Sequence, residues 1–251
     1  MQCMPKPKII AHRGASSMAP ENTMASFRKA MDIGVDMVEI DVHLTQDDHL
    51  VVLHDSTLER TTNGNGPVSE INFEDLRKLD AGTWFDASFE NERVPAIQEV
   101  FDLIGGKCGL LLEIKVAKSS RPGLAKAALK AIDEANAQGW AVVQSFDDEI
   151  LLEINEINPS IVTHKLIVEK PPIFPGVIDT SGINFGTLAK YKNQKAINCN
   201  HRFLGKKLIR KFHNHGFATF AWTVNEVEKG KKLMEWGVDG LITNYPQRFL
   251  K

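Results

Sequence analysis

Residues 37–55 read MVEIDVHLTQDDHLVVLHD, and this stretch decides both the fold and the site predicted for the chain. Apolar and polar residues alternate over its first half, which predicts a strand with Glu39 and Asp41 on one face. The polar turn at 46–49 lies between two β-rich runs and predicts a hairpin. Folding back its second arm brings His54 roughly opposite Asp41. The stretch alone fits either a metal-assisted acid/base motif or a polar-edged hairpin without chemistry.

The residues before this stretch predict a strand, a loop and a helix. KIIAH at 8–12 reads as a short buried strand that ends where polar residues begin. The amphipathic run MASFRKAMDIG follows Asn22 and Thr23, either of which can cap a helix, and Gly34 is a typical helix terminator. Together with the strand at 37, these elements form one βαβ unit.

The residues after the hairpin continue the alternation of strands and helices. An irregular stretch at 56–95 is too long for an ordinary connection and predicts a lid or small excursion over a site. GLLLEIK at 109–115 then reads as a buried parallel strand. Counting onward to the C-terminus gives eight strands with intervening helices, which predicts a (β/α)8 TIM barrel, with a doubly wound sheet as the alternative.

The composition narrows the functional class. The chain has 251 residues, a formal net charge of -2 and no basic stripe, which argues against nucleic-acid binding. Its three cysteines are widely spaced and predict free thiols. Neither a signal peptide nor a transmembrane run is evident, so a cytoplasmic location is expected. The sequence leaves open whether the protein forms a homodimer.

Charged residues collect at the carboxyl ends of the predicted strands, which share one face in a barrel of this type. Glu39, Asp41 and Glu113 would be costly beside apolar strands unless they were paired or metal-bound. Three carboxylates without a nearby cysteine favour a divalent Mg²⁺, Ca²⁺ or Mn²⁺ ion over zinc. Polar residues on later strands, among them Gln144 and His164, fit the site and a solvent-facing strand end equally well.

Two histidines and two cationic side chains belong to the same predicted mouth. Arg13 and Lys115, with a divalent cation, are suited to hold a phosphate in its charged transition state. His12 and His54 can take a proton from an attacking hydroxyl and give one to a leaving oxygen. The residues therefore predict cleavage of a phosphate ester. His43 lies on the same face of its strand and is a candidate substrate contact.

Motifs along the whole chain resemble those of the glycerophosphodiester phosphodiesterase family. They are HRG at 12–14, PENT at 20–23, EIDV at 39–42, VVLHD at 51–55, LLEIK at 111–115, QSF at 144–146, WTVN at 222–225 and GVDGLITNYP at 237–246. The resemblance implies a single barrel domain over 1–251, with an inserted segment at about 56–104. It also implies metal-dependent hydrolysis of a glycerophosphodiester to glycerol 3-phosphate and an alcohol.

The resemblance also implies a role for individual residues. These are an acid/base pair (His12 and His54), metal ligands (Glu39, Asp41 and Glu113), phosphate contacts (Arg13 and Lys115), a wall against the glycerol moiety (Trp222) and supporting residues (Glu21 and Asn22). The family mechanism has the substrate's own 2-hydroxyl attack phosphorus, and water then opens the resulting cyclic phosphate. Such a route needs no serine or cysteine nucleophile.

The chain departs from the family pattern at one turn, and two other activities are conceivable. The hairpin tip reads TQDD at 45–48 where the family often has TKDG, a change expected to affect head-group preference rather than catalysis. The stretch 171–195 has no clear counterpart and is expected to shape the alcohol side of the pocket. Phospholipase D-like cleavage of lysophospholipids would need an apolar groove, for which Ile173 and Phe174 are candidates. A silent binding module should have lost a histidine or a carboxylate, and all five are present.

Overall fold

The strands form a closed barrel. The computed structural model describes residues 6–116, 122–167 and 193–250. In this part of the chain the strands are β1 (Lys8–Ala11), β2 (Met37–Leu44), β3 (Leu50–Val52), β4 (Gly109–Ile114), β5 (Ala141–Ser145), β6 (Val162–Ile167), β7 (Ala196–Asn200), β8 (Ala218–Trp222) and β9 (Gly240–Thr243). The order β1-β9-β8-β7-β6-β5-β4-β2 closes through parallel pairing of β1 with β2. The predicted (β/α)8 barrel is confirmed, and closure excludes a doubly wound sheet.

Helices alternate with the barrel strands, as the sequence predicts. In the described ranges they are α1 (Met24–Ile33), α3 (Ile97–Ile104), α4 (Leu124–Glu134), α5 (Asp148–Ile157), α6 (Lys206–Asn214) and α7 (Val227–Glu235), and a further short helix, α2 (Phe73–Leu76), lies in the segment after the hairpin. β1 and β4 are each one residue shorter than the runs at 8–12 and 109–115 that predicted them. None of the helices in the described ranges is long and apolar enough to cross a membrane. The cytoplasmic location stays a prediction.

Local signals set the ends of α1 and the turn of the hairpin. Thr23, rather than Asn22, caps α1, since its side chain accepts a hydrogen bond from the Ser26 amide. Gly34 ends the helix with a φ of 80°. β2 and β3 pair antiparallel, and Asp48 in their turn has a φ of 63°, a conformation that Asp tolerates. The predicted hairpin is therefore confirmed.

The barrel interior changes from apolar to polar along the strands. A buried cluster fills its lower part: Ile10, Met37, Leu111, Ala196, Phe220 and Ile242. Because side chains alternate, Glu39 and Asp41 take the next two inward positions on β2. Glu113 takes the next inward position on β4, and Lys115 follows directly after that strand. All eight residues of β2 are buried. The fold thus places charged side chains on top of an apolar plug at the carboxyl ends of the strands.

The segment between β3 and α3 has an apolar core of its own. Val51, Leu53, Leu58, Val68, Leu76, Ala81 and Val94 pack together apart from the main barrel cluster. By contrast, Ile97, Val100, Phe101 and Ile104 of α3 belong to the barrel cluster. The predicted limits of the insertion, 56–104, and the single-domain assignment stay predictions. The segment also contains the short helix α2, which ends at Leu76.

Candidate active site

Three carboxylates meet at the mouth of the barrel. The β2–β4 register pairs Asp41 with Glu113, and Glu39 lies one inward position below Asp41. One oxygen of each side chain lies within 4.8 Å of the others, and all three residues are buried. Cysteine is absent from this group. Clustered carboxylate oxygens of this kind are the ligands that a hard divalent cation prefers.

The titration behaviour of the cluster supports the same assignment. Burial, together with the charges of Asp41 and Glu113, raises the pKa of Glu39 well above its usual value. Burial and Asp41 likewise raise the pKa of Glu113 to about 7. Burial opposes ionisation of Asp41 too, but Lys115 and Arg13 outweigh it and lower the pKa of that carboxyl. Ionisation of all three carboxyls would place more negative charge here than Lys115 and Arg13 neutralise, and a bound divalent cation would favour that ionised form.

Lys115 and Arg13 approach the carboxylates from two sides. Lys115 Nζ lies 2.6 Å from Glu113 Oε1 and 3.2 Å from Asp41 Oδ1. Arg13 Nε lies 3.2 Å from Asp41 Oδ2, and the Arg13 amide donates to Glu39 Oε2 at 2.8 Å. Arg13 has a φ of 57°, because the chain turns sharply where β1 ends. Both cations line the same cavity as Glu39 and Glu113, where a phosphate could meet them.

Glu21 and Asn22 support these groups from the loop before α1. Glu21 Oε1 accepts from Arg13 Nη1 at 2.8 Å, and its pKa falls below the usual value because hydrogen bonds from Arg60 and the charge of Arg13 outweigh its burial. Asn22 Nδ2 donates to Asp41 Oδ2 at 2.8 Å. Neither residue lines the cavity that Arg13 and Lys115 line. Their contacts therefore fit the supporting role expected of them.

Each candidate catalytic histidine is held through Nδ1. His12 Nδ1 lies 2.7 Å from Asn244 Oδ1, and His54 Nδ1 lies 2.5 Å from Asp55 Oδ1. A donor role for Nδ1 leaves Nε2 as the nitrogen that can exchange a proton with a substrate. Burial and the charge of Arg13 lower the pKa of His12 to about 4. Burial also lowers the pKa of His54, against the charge of Asp41 and the hydrogen bond with Asp55, which raise it.

Two cavities open beside the cluster. The smaller, about 130 Å³, is lined by His12, Arg13, Glu39, His54, Glu113, Lys115, Gln144, Phe146, Leu166, Trp222, Thr223 and Ile242. The larger, about 780 Å³, shares His54, Glu113, Lys115 and Phe146 with it and adds His43 and the loop at 145–149. Trp222 packs edge-on against Phe146 with ring centroids 5.6 Å apart. The residues 171–195 expected on the alcohol side lie largely outside the described ranges, as do Ile173 and Phe174.

Sequence reasoning left Gln144 undecided between the site and a solvent-facing strand end, and it missed other polar partners of the site. Gln144 Nε2 lies 3.3 Å from Glu39 Oε1 and 3.4 Å from Glu113 Oε2, while Asn198 Nδ2 donates to Gln144 Oε1 at 2.7 Å. The only signal for Gln144 is an amide next to strand-end carboxylates. Asn244 follows β9. The expectation that polar residues at the carboxyl ends of the strands form the site, which found His12, could therefore have found Asn244 too. The contacts of Arg60 have no comparable signal in the sequence.

Two other histidines take different places. His43 is 4% exposed, and its Nε2 lies 3.1 Å from the backbone oxygen of His54, so the ring is tied to the hairpin as well as lining the larger cavity. His164 lies one inward position below Leu166, inside the barrel, with its ring 5.1 Å from that of Phe220. It is 6% exposed and lines neither cavity described above. His164 is thus neither a solvent-facing residue nor a member of the candidate site.

The fold and the site together define a barrel hydrolase of the phosphoester-cleaving class. The sequence model of the glycerophosphoryl diester phosphodiesterase family matches residues 12–248. The chain therefore belongs to that family and is an enzyme of the glycerophosphodiester phosphodiesterase class. The match covers every residue of the candidate site, from His12 to Trp222.

Known proteins resemble the chain over almost all of its length. A glycerophosphodiester phosphodiesterase of Caldanaerobacter subterraneus subsp. tengcongensis is 36% identical, with 98% of this chain and 97% of that protein covered. One of Bacillus subtilis is 30% identical, with 96% and 85% covered. A solved structure of an Oleispira antarctica phosphodiesterase in complex with its product sn-glycerol-3-phosphate is 29% identical, with 96% of this chain and 94% of that chain covered and a TM-score of 0.83.

Proposed function

We propose that the protein hydrolyses glycerophosphodiesters to glycerol 3-phosphate and an alcohol, with His12 and His54 as its acid/base pair and a divalent cation as its cofactor. One observation carries the proposal. Two histidines, each held through Nδ1, line a single small cavity together with two of three clustered carboxylates, an arginine and a lysine. That combination supplies proton transfer and charge neutralisation at the same point.

The metal would be held by Glu39, Asp41 and Glu113. Mg²⁺ and Ca²⁺ are the first candidates, with Mn²⁺ also suited to an all-carboxylate donor set. When bound, such an ion withdraws charge from phosphate oxygens and lowers the barrier to attack at phosphorus. Arg13 and Lys115 would neutralise the remaining phosphate charge, and Trp222 would form the wall against the glycerol carbons. Glu21 and Asn22 would keep Arg13 and Asp41 in place.

The proposed reaction has two steps, each with one proton acceptor and one proton donor. First the 2-hydroxyl oxygen of the glycerol attacks phosphorus, and the bond from phosphorus to the alcohol breaks. One histidine takes the hydroxyl proton while the other protonates the leaving alcohol oxygen. Water then opens the cyclic phosphate to glycerol 3-phosphate, with the two histidines in exchanged roles. The low pKa of His12 leaves it neutral and able to act as the first base.

The test is release of glycerol 3-phosphate from glycerophosphocholine and glycerophosphoethanolamine. We expect turnover by the metal-loaded protein, none after EDTA treatment, and recovery with Mg²⁺, Ca²⁺ or Mn²⁺. His12→Ala and His54→Ala should each lower kcat by about 100-fold or more, the usual contribution of a general acid or base. His215→Ala, an exposed position after α6, is the matched control and should retain full activity.

Two results would contradict the proposal. Full kcat in either His12→Ala or His54→Ala would remove the acid/base pair. If the native protein cleaves neither substrate with any of these metals, cleavage of lysophospholipids would be favoured, which release of choline from lysophosphatidylcholine would test. If lysophosphatidylcholine is not cleaved either, the remaining interpretation is a binding module without catalytic activity.

A further inference from the structure

Arg60 reaches the candidate site from the segment after the hairpin. Leu58, 1% exposed, anchors this part of the chain in the segment's apolar core. Thr62 closes the turn around Arg60, since its hydroxyl donates to the Leu58 carbonyl at 2.7 Å and its amide donates there at 3.1 Å. The Arg60 side chain is 43% exposed at the mouth of the barrel.

The Arg60 guanidinium binds two carboxylates at once. Nε lies 2.6 Å from Asp55 Oδ2, and Nη2 lies 3.1 Å from Asp55 Oδ1. On its other side, Nη1 lies 3.0 Å from Glu21 Oε2, and Nη2 lies 2.8 Å from Glu21 Oε1. Arginine is suited to this arrangement because its planar fork of donors matches a carboxylate on more than one edge.

Each of these carboxylates holds a residue of the proposed active site. Asp55 Oδ1 lies 2.5 Å from His54 Nδ1, and Glu21 Oε1 accepts from Arg13 Nη1 at 2.8 Å. Arg60 therefore lies between the proposed acid/base histidine and the proposed phosphate contact. These two residues come from different elements, the end of the hairpin and the end of β1.

We propose that Arg60 is a positioning residue for catalysis, which clamps the His54–Asp55 pair to the Arg13–Glu21 pair across the mouth of the barrel. The inference rests on the proposed function and adds to it a role for the segment that follows the hairpin. Arg60 lines neither described cavity and does not touch the reacting atoms. Its effect is transmitted through Asp55 and Glu21.

Removal of Arg60 would disturb His54 more than Arg13. Because Nη2 contacts an oxygen of each carboxylate, Asp55 and Glu21 lie close enough to repel one another once the cation between them is gone. Arg13 would still be held by Asp41 and Glu39. The His54 ring, by contrast, has Asp55 as its side-chain partner and would lose its fixed orientation.

Arg77 supplies a matched control from the same segment. Its Nη1 and Nη2 lie 2.8 and 2.9 Å from the two oxygens of Glu99, and its side chain is 32% exposed. Arg77 therefore resembles Arg60 in making a bidentate contact with a carboxylate and in being partly exposed. It lines neither of the two cavities at the barrel mouth.

The experiment compares Arg60→Ala and Arg77→Ala with the native protein on glycerophosphocholine. In Arg60→Ala we expect kcat to fall by about 100-fold, the loss that a displaced catalytic group can produce, with a much smaller change in KM. Metal affinity, measured by calorimetry, should stay within about threefold, since Arg60 does not contact the proposed ligands. Arg77→Ala should keep kcat and show a comparable loss of thermal stability.

A chemical rescue completes the test. Because Arg60 is partly exposed, millimolar guanidinium should enter the space left by its side chain and restore part of kcat in Arg60→Ala. Guanidinium should not raise kcat in Arg77→Ala. Sodium chloride at equal ionic strength should not raise kcat in either variant. A kcat of Arg60→Ala equal to that of Arg77→Ala, or a loss that guanidinium does not reverse, would overturn the inference. An inactive native protein would instead refute the proposed function.

Discussion

Asp41 is the residue on which the hydrogen-bond donors and cations of the site converge. Lys115, Arg13 and the Asn22 amide all lie within hydrogen-bond or ion-pair distance of its oxygens. These contacts keep Asp41 ionised, whereas burial pushes the pKa of Glu39 and Glu113 upward. In the metal-free protein near neutral pH, the cluster therefore carries protons that a bound cation would have to displace.

We expect metal binding to release protons and to weaken as the pH falls. A carboxyl with a raised pKa is protonated below that value, and for Glu113 the value is about 7. Since a ligand must be deprotonated, affinity for Mg²⁺ should decrease between pH 8 and pH 6. Calorimetry in buffers of different ionisation enthalpy measures the protons released. An affinity that is constant over this pH range, with no proton release, would contradict the expectation.

Asn22 allows the support of Asp41 to be separated from backbone strain. Asn22→Gly removes the hydrogen bond to a buried carboxylate, which should lower the free energy of unfolding by about 2 kcal/mol. Asn22→Ala should lower it by a further 1 kcal/mol or so, because Asn22 has a φ of 56° that alanine tolerates poorly. Urea unfolding of the two variants measures both effects. Equal stabilities for the two variants would show that backbone conformation is not a factor.

At the scale of elements, the turn after β1 sets the position of His12 and Arg13. Gly14 has a φ of 79°, and an added Cβ would meet Ser26 Oγ at 2.3 Å and the Ser26 carbonyl carbon at 2.8 Å. The turn therefore lies directly against α1, and only glycine allows this approach. Gly34, at the other end of α1, has a similar φ of 80° but nothing within 4 Å of an added Cβ.

Gly14→Ala should be far more damaging than Gly34→Ala. Both substitutions strain a left-handed residue by about 1–2 kcal/mol, but only the first also forces β1 and α1 apart. We expect Gly14→Ala to lose additional stability and most of its kcat, because His12 and Arg13 would move. Gly34→Ala should retain kcat. Chemical unfolding and steady-state kinetics check the pair, and similar results for the two would show that the contact with Ser26 is unimportant.

At the scale of the whole molecule, the barrel interior holds a histidine that is separate from the site. His164 is enclosed beside Phe220, and burial lowers its pKa to about 3. The folded protein therefore keeps this ring neutral where the unfolded chain would protonate it. For a group with a lowered folded-state pKa, stability is complete above about 6.5 and is lost as the pH falls.

We expect His164 to make the barrel sensitive to mild acid. Between pH 7 and pH 5 the unfolded chain gains a proton at His164 that the folded protein excludes, which is equivalent to about 2 kcal/mol. In His164→Gln, the decrease in unfolding free energy over this range should be smaller by that amount. Urea unfolding at both pH values measures the difference. An equal decrease in both proteins would show that His164 is protonated in the folded state.

Features that depend on neighbours along the chain were predictable from the amino-acid sequence. Alternation over 37–44 placed Glu39 and Asp41 on one inward face, and the turn at 45–48 returned His54 toward Asp41. The order of strands and helices predicted the barrel and left a doubly wound sheet as the alternative, which the pairing of β1 with β2 excludes. His12, Arg13, Glu113 and Lys115 were predicted to meet at the same mouth of the barrel, because they lie at the carboxyl ends of its strands.

Contacts made across the barrel depend on the three-dimensional packing of the chain. Asn244 meets His12 over a separation of 232 residues, and Gln144 meets Glu39 over 105, because closure of the sheet brings distant strand ends together. The depth of His164 depends on the stagger between strands, which no local pattern records. Arg60 reaches Glu21 and Asp55 because the segment after the hairpin folds onto the barrel mouth. A sequence pattern reports which face a side chain takes, whereas packing decides which distant side chain it meets.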